Sequence, residues 1–331
     1  MAFALSYFLH PAVHNTLLWQ YHEIVLASGL YMGLIWFYLK ERWWPFLIMV
    51  CLLLSCREDM PFTLVAFGCL ALIEKRWRYA MVTILLAVLW WLMAVQWLMP
   101  LFNGQGYFRH VHGTLGTLFA NLYNPRFYLD RLSDPQSLTY LWQVFFPLGF
   151  VALLSPRFVL PAIPTLAANV LIGGYNTQIG FHYSVSIMPF LFWGALEFLR
   201  SRRHFFDLGK GLATTIRTGA LVVAIVGANG WAYSQYSVLH LRRFPDQWSA
   251  WLVNAPKRDF LATFDREFPH QGIAASAFLL PHLSHRERIY LFPNPWETHY
   301  WGIAGENPHH PNAVDAVVLN RDLYIQSNLL K

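Results

Sequence analysis

Arg57, Glu58 and Asp59 form an ionisable run between two apolar segments, Trp44–Cys56 (WPFLIMVCLLLSC) and Pro61–Ile73 (PFTLVAFGCLALI). Charges are costly in such surroundings, so the run is by default a functional-site candidate. Glu58 and Asp59 have the chemistry to coordinate a hard divalent cation, Mg or Mn, through oxygen, or to accept hydrogen bonds from sugar hydroxyls. If burial raises its pKa, either carboxylate also becomes a general base. A plainer role exists: Asp59 caps the helix opening at Met60-Pro61, and Arg57 neutralises the pair. A cap needs one carboxylate, however, and two are present.

Other chemistry-bearing residues stand at comparable places. His22 and Glu23 head the first apolar run, where a solvated interfacial pair is the simpler reading. Gln178, His182 and Tyr183 lie in the loop segment GGYNTQIGFHYS, which also fits an aromatic interface belt. Arg109, His110 and His112 (YFRHVHG) follow a long apolar run. Arg109 suits bidentate phosphate binding, the paired histidines are a weak metal signal, and a basic patch touching lipid headgroups explains them equally well. His282, His285 and Arg286 read as the end of a surface helix, and His309-His310 as loop.

The elements that position these residues are set by composition. Of 331 residues, 56% are hydrophobic and 13% charged, against about a quarter charged in ordinary soluble domains. The 15 tryptophans suit a chain with two membrane–water interfaces to anchor. The net charge of +6 is accounted for by basic loops between apolar spans, so no nucleic-acid partner is implied. Cys51, Cys56 and Cys69 lie in apolar runs without C-x-x-C spacing and read as small buried hydrophobes.

Apolar runs at 24–39, 43–56, 61–73, 79–101, 140–154, 158–172, 185–199 and 218–239 predict an α-helical polytopic membrane protein with about eight transmembrane helices. The runs flanking the Arg57 cluster fall short of the roughly 20 residues a perpendicular crossing needs, which places Glu58 and Asp59 in a recess. With all eight crossing, Lys40, Arg42, Lys75, Arg76, Arg78, Arg157, Arg200, Arg202, Arg203, Lys210 and Arg217 share one face, the positive-inside signature of the cytoplasm. The Arg57 cluster, Glu23, the 102–139 loop and the 173–184 loop share the other. An inner or plasma membrane location follows, with residues 1–20 as an outer tail.

Residues 1–239 therefore read as the transmembrane domain, with interfacial amphipathic helices in the outer loop 102–139. Residues 240–331 read as a small non-cytoplasmic α/β domain, with a helix over 258–268 and strands over 272–277, 288–292 and 313–320. No P-loop, GxGxxG after a strand, zinc-type Cys/His spacing or GxSxG occurs in the sequence, so soluble nucleotide-dependent chemistry has no visible seat.

His22-Glu23 at the head of a span, Arg57-Glu58-Asp59 opening another, HYSVSIMPFLF around Pro189, and the stretch Ala277–Arg286 followed by IYLFPNPW form an ordered set. As a set they resemble an uncharacterised bacterial and archaeal family of predicted multi-spanning membrane proteins, itself similar to the GT-C glycosyltransferases. The resemblance covers about residues 17–320 and marks His22, Glu58, Asp59, His182 and Tyr183. It implies sugar transfer from a polyprenyl-phosphate donor at the outer membrane face. It places the donor phosphate near Arg57 or Arg109 and the reacting groups among Glu58, Asp59, Glu23 and His22. His110, Gln178, His182 and Tyr183 then line the substrate. GT-C-like proteins carry an acidic residue in an early outer loop, and nothing before Glu23 is acidic here. The expectation is therefore a chain lacking an N-terminal part, which a separate partner chain would supply. A transporter or flippase, or a non-catalytic fragment of a split protein, is the alternative class.

Overall fold

The structure is a computed structural model, and it describes residues 2–18, 23–103, 120–121, 123–201, 212–237, 255–276, 279–296 and 313–319. Two compact units divide the chain: Met1–Leu98 with Leu118–Leu241, and Met99–Thr117 with Arg242–Lys331.

The first unit is helical. α1 (Ala2–Leu9) and α2 (Pro11–Leu18) precede α3 (Ile24–Leu39), α4 (Trp43–Leu54), α5 (Met60–Ile73) and α6 (Trp77–Met93). α3 to α6 need no amphipathic stripe, being apolar on nearly every side, as buried or lipid-facing helices are. α3 packs along α4, and α5 along α6. The turns joining those pairs are alike in sequence, Lys40-Glu41-Arg42-Trp43 and Glu74-Lys75-Arg76-Trp77. Each places a non-glycine residue in the left-handed region, Glu41 at φ 54° and Lys75 at φ 61°. The amides of Arg42 and Arg76 then reach back to Phe37 O at 2.9 Å and Ala71 O at 2.8 Å, closing both helices in the six-to-one manner of a Schellman end.

Trp77–Leu101 is, among the described residues, the one helix long and apolar enough to cross a membrane by itself; only 22% of its most apolar stretch is buried. It passes through a π turn at Ala94–Leu98 just before Pro100. A proline there has no amide to donate and its ring collides with the carbonyl of Gln96, so the helix widens. Ile24–Leu39, Trp43–Leu54, Met60–Ile73 and Pro156–Ile172 are apolar but shorter.

Two expectations are corrected. The run 140–154 is not one helix: α7 (Pro125–Ser133) leads to α8 (Pro135–Phe145), and the chain then breaks into 3-10 turns at Phe146–Leu148 and Val151–Leu154. Pro147 removes a ladder amide, while Gly149 at φ 57° and Phe150 at φ 58° reverse the backbone between them. A hydropathy run records burial and is blind to such a reversal. Residues 2–18 are likewise no loose tail, since α1 packs on α10 (Met188–Ser201) and α11 (Leu212–Tyr236). Ser6, His10, Asn15 and Thr16 are buried there. Two of them find partners by reaching across the bundle: His10 Nε2 meets Val144 O at 3.2 Å, and Asn15 donates to Tyr236 O at 2.9 Å; Thr16 donates to Ala12 O one turn back at 2.7 Å.

The core of this unit lies where α3, α4, α5 and α10 meet. Tyr31, Tyr38, Phe46, Phe67 and Phe190 are fully enclosed. Edge-on ring contacts join them, with centroids 4.9 Å apart for Tyr31–Phe190 and 5.1 Å for Tyr38–Phe67, the arrangement that aromatic quadrupoles favour. α9 (Ile163–Ile172) packs against α5.

In the second unit α12 (Ala255–Glu267) precedes three short parallel strands, β1 (Ile273–Ala275), β2 (Ile289–Leu291) and β3 (Ala316–Val318), in the order β2-β1-β3. The helix and strands predicted from the sequence are all present, each strand shorter than its apolar run. The central strand is fully buried. Gly272, at its head, lets the backbone of Ala313 approach where any Cβ would collide with it. Leu261, Ile273, Leu279, Leu283 and Val318 form this unit's own core.

Candidate functional site

Glu23 and Asp59 occupy equivalent places, each at the N-cap position of a helix, α3 and α5. Neither side chain makes a capping hydrogen bond. Both turn instead to Arg57: its Nε lies 3.3 Å from Asp59 Oδ1 and 3.9 Å from Glu23 Oε1. The capping role available to Asp59 is thus not the one it takes. A guanidinium flanked by two carboxylates sits at the starts of two helices, whose first amides and dipoles are favourable to anions.

Arg57 is mostly buried, with 19% of its side chain exposed, while Glu23 and Asp59 keep 47% and 39%. Asp59 Oδ1, however, is itself closed off from solvent. Loss of hydration pushes the Asp59 carboxyl above the usual carboxylate range; Arg57 opposes that rise, and Glu58 and Glu23 add to it. The direction is the one a general base needs. Glu58, next in the chain, is half-buried.

Behind this array α3, α5 and α9 are tied by polar contacts that sequence reasoning passed over. Tyr31 donates to Met60 Sδ at 3.5 Å, and the hydroxyls of Thr63 and Thr165 lie 3.2 Å apart. Single threonines inside apolar runs were the available signal, faint because threonine is at home in such runs.

The other predicted residues are placed as follows. His182 is buried at the start of a 3-10 stretch, His182–Ile187, that packs on α2, α3 and α9. Tyr183 is held through its carbonyl, which accepts from Asn169 Nδ2 at 3.2 Å. Asn169 also donates to the Tyr140 hydroxyl at 2.8 Å, and Ser184 Oγ lies 3.1 Å from that same hydroxyl. Gln178 is exposed and lines a separate cleft of 500 Å³ with Gln136, Thr139, Gln143, Thr177 and Tyr236. His22, Arg109, His110 and His112 lie outside the described residues. Arg286 is no surface residue: 1% of its side chain is exposed, and Nη2 meets Asp265 Oδ1 at 2.8 Å.

Among the described residues, no three His, Cys, Asp or Glu side chains gather to hold a metal ion. Glu58 and Asp59 offer two carboxylates, and the rest of a divalent shell would have to come from substrate phosphate and water. Arg57 already stands beside Asp59 as its cation.

The model of a family described as "Predicted membrane protein (DUF2079)" matches residues 1–329. The chain belongs to that family. Comparisons with curated proteins and with solved structures find no match. Membership agrees with the apolar helices and with the one helix of crossing length. As a protein of this membrane family, the chain carries its Glu23–Arg57–Asp59 array at the end of its helical unit where α3 and α5 begin.

Proposed function

We propose that this protein is a membrane glycosyltransferase of the GT-C kind, drawing its sugar from a polyprenyl-phosphate donor. The observation that carries the proposal is the pair of acidic residues at two helix starts that face one arginine instead of capping their helices. That arrangement offers positive charge for a phosphate and a carboxylate with a raised proton affinity beside it. Arg57 and the starts of α3 and α5 bind the donor phosphate and stabilise it as the leaving group. Asp59, aided by Glu23 or Glu58, takes the proton from the acceptor hydroxyl as that oxygen bonds to the anomeric carbon. The bond from that carbon to the phosphate oxygen breaks in the same exchange. His182 and Tyr183 lie on a stretch that packs on α3 and is suited to line the substrate, and no step is routed through a metal.

The basic turns and loops fit a cytoplasmic face and the Arg57 array the opposite face, with about eight spans, a non-cytoplasmic second unit and a plasma-membrane location. The shortness of α4 and α5 supports a recess reached laterally from the bilayer.

The test is transfer of labelled sugar in proteoliposomes containing a polyprenyl-phosphate donor. Glu58→Gln and Asp59→Asn are expected to lower transfer by about 100-fold, the scale of losing one acid–base group. Unchanged transfer in both removes these residues from the site. Accumulation of label inside the vesicles with no covalent product replaces a transferase by a transporter.

A further inference from the structure

The basic-loop end of the helical unit contains a second cleft, of 630 Å³, unconnected with the chemistry proposed for Arg57. Its walls come from the turn Ser155-Pro156-Arg157-Phe158 and from the last residues of α10, Glu197, Arg200 and Ser201. The two segments are packed together, the helical turn Pro156–Val159 lying against α10. Two arginines and Ser155 thus converge on one concave surface, while the Ser201 hydroxyl donates to Phe198 O at 2.7 Å within its own helix.

We propose that this cleft binds the phosphate group of an anionic phospholipid. Arginine is the residue best matched to phosphate oxygens, through parallel charge-assisted hydrogen bonds, and the Ser155 hydroxyl adds a neutral donor. The guanidinium of Arg157 lies over the Phe158 ring, 4.5 Å from its centroid, so the charge is held at the cleft wall. Arg200 is 74% exposed on its side chain and reaches only 3.5 Å from Glu197 Oε1, a loose pair that a phosphate can replace. Glu197 is the opposing feature. Its carboxylate lines the same cleft and holds the site at one net positive charge until an anion arrives.

The surroundings favour a lipid over a free anion. Leu154, a wall residue, is 62% exposed, and Leu196 beside Glu197 is 46% exposed. Apolar surface continuous with a phosphate-binding pocket accommodates acyl chains below a headgroup. Basic pockets between helices at the cytoplasmic side of membrane proteins are suited to such headgroups. In sequence, Arg202 and Arg203 follow Ser201 directly.

The experiment measures lipid retained by the purified full chain in mixed phosphatidylglycerol and phosphatidylcholine, by native mass spectrometry and by exchange of labelled lipid. The double variant Arg157→Gln/Arg200→Gln is expected to lower phosphatidylglycerol affinity by about 25-fold, from roughly fivefold per arginine, and to leave phosphatidylcholine unchanged. Glu197→Gln is expected to raise phosphatidylglycerol affinity, so the inference stays testable should the double variant fail to fold. Ten millimolar inorganic phosphate is expected not to displace the lipid. Equal retention by wild type and a folded double variant, no gain in Glu197→Gln, or displacement by inorganic phosphate each overturns the assignment. The last of these would make the cleft a free-phosphate site.

Discussion

Arg57 Nε stands 3.3 Å from Asp59 Oδ1, a carboxylate oxygen closed off from solvent at the start of α5. The two residues are two apart, with Glu58 between them, in a tight connection between apolar helices, and the same nitrogen lies 3.9 Å from Glu23 at the start of α3. One arginine therefore links two helix starts that the chain separates by 35 intervening positions' worth of helix and turn, roughly two helix lengths.

Removing that link exposes its role. Arg57→Ala leaves Glu23 and Asp59 without their shared cation, and transfer from a polyprenyl-phosphate donor is expected to fall by about 100-fold or more. Arg57→Lys keeps the charge without the fork and is expected to recover part of the activity. Steady-state transfer rates of the two variants decide the matter, and equal rates would show that charge at this position is irrelevant.

Asp59 gives a pH signature. Its pKa is raised in the fold, so the folded state holds its proton more tightly than the unfolded chain does. The proton uptake favours folding at low pH, and that advantage is lost as pH rises from the ordinary carboxylate range through the raised value. Asp59→Asn is therefore expected to unfold at a higher temperature than wild type at pH 8, with the difference shrinking toward pH 4. Thermal melts in one detergent at both pH values check it, and a gain confined to pH 4 would reverse the sign.

The Tyr140 hydroxyl is shared by Asn169 and Ser184, at 2.8 Å and 3.1 Å. Tyr140→Phe leaves Ser184 short of a partner while Asn169 keeps the Tyr183 carbonyl. A loss of about 1–2 kcal/mol is expected from one stranded polar group. Ser184→Ala in the same background is expected to recover much of it, which a double-mutant cycle measures.

Gly68 of α5 lies close against α6. A Cβ there would run into the Ile84 side chain and come within 3.2 Å of the Ala80 carbonyl oxygen. Gly68→Val is expected to cost about 1–3 kcal/mol by overpacking. Ile84→Ala removes the side-chain collision but not the carbonyl contact, so combined melts should show partial rescue only.

In the second unit, Arg286 is buried against Asp265 with a further hydrogen bond to the Phe268 carbonyl. Arg286→Ala leaves the Phe268 carbonyl without its donor and Asp265, 41% exposed, to water, and a loss of about 1–3 kcal/mol is expected. Limited proteolysis across residues 255–296 reads it directly. Protection equal to wild type would mean the pair contributes nothing.

Much of this protein was legible in its residues. Apolar runs interrupted by Lys40-Glu41-Arg42 and Glu74-Lys75-Arg76 fixed where α3 to α6 begin and end, because helix length and helix stops are local properties. The α12-β1-β2-β3 succession was equally readable from short-range periodicity. The chemistry of Arg57-Glu58-Asp59 announced itself by its cost among apolar neighbours. What the tertiary structure decided is which partners those residues take. Asp59 had a local alternative as a helix cap that it does not take, and only packing brings Glu23 to the same arginine. The reversal at Gly149-Phe150, the burial of His10 and Asn15, the Tyr140 hydroxyl as a hub and the convergence of Arg157 with Arg200 are likewise long-range outcomes. Each depends on two segments far apart in sequence meeting in space, and hydropathy and spacing along one stretch carry no record of that meeting.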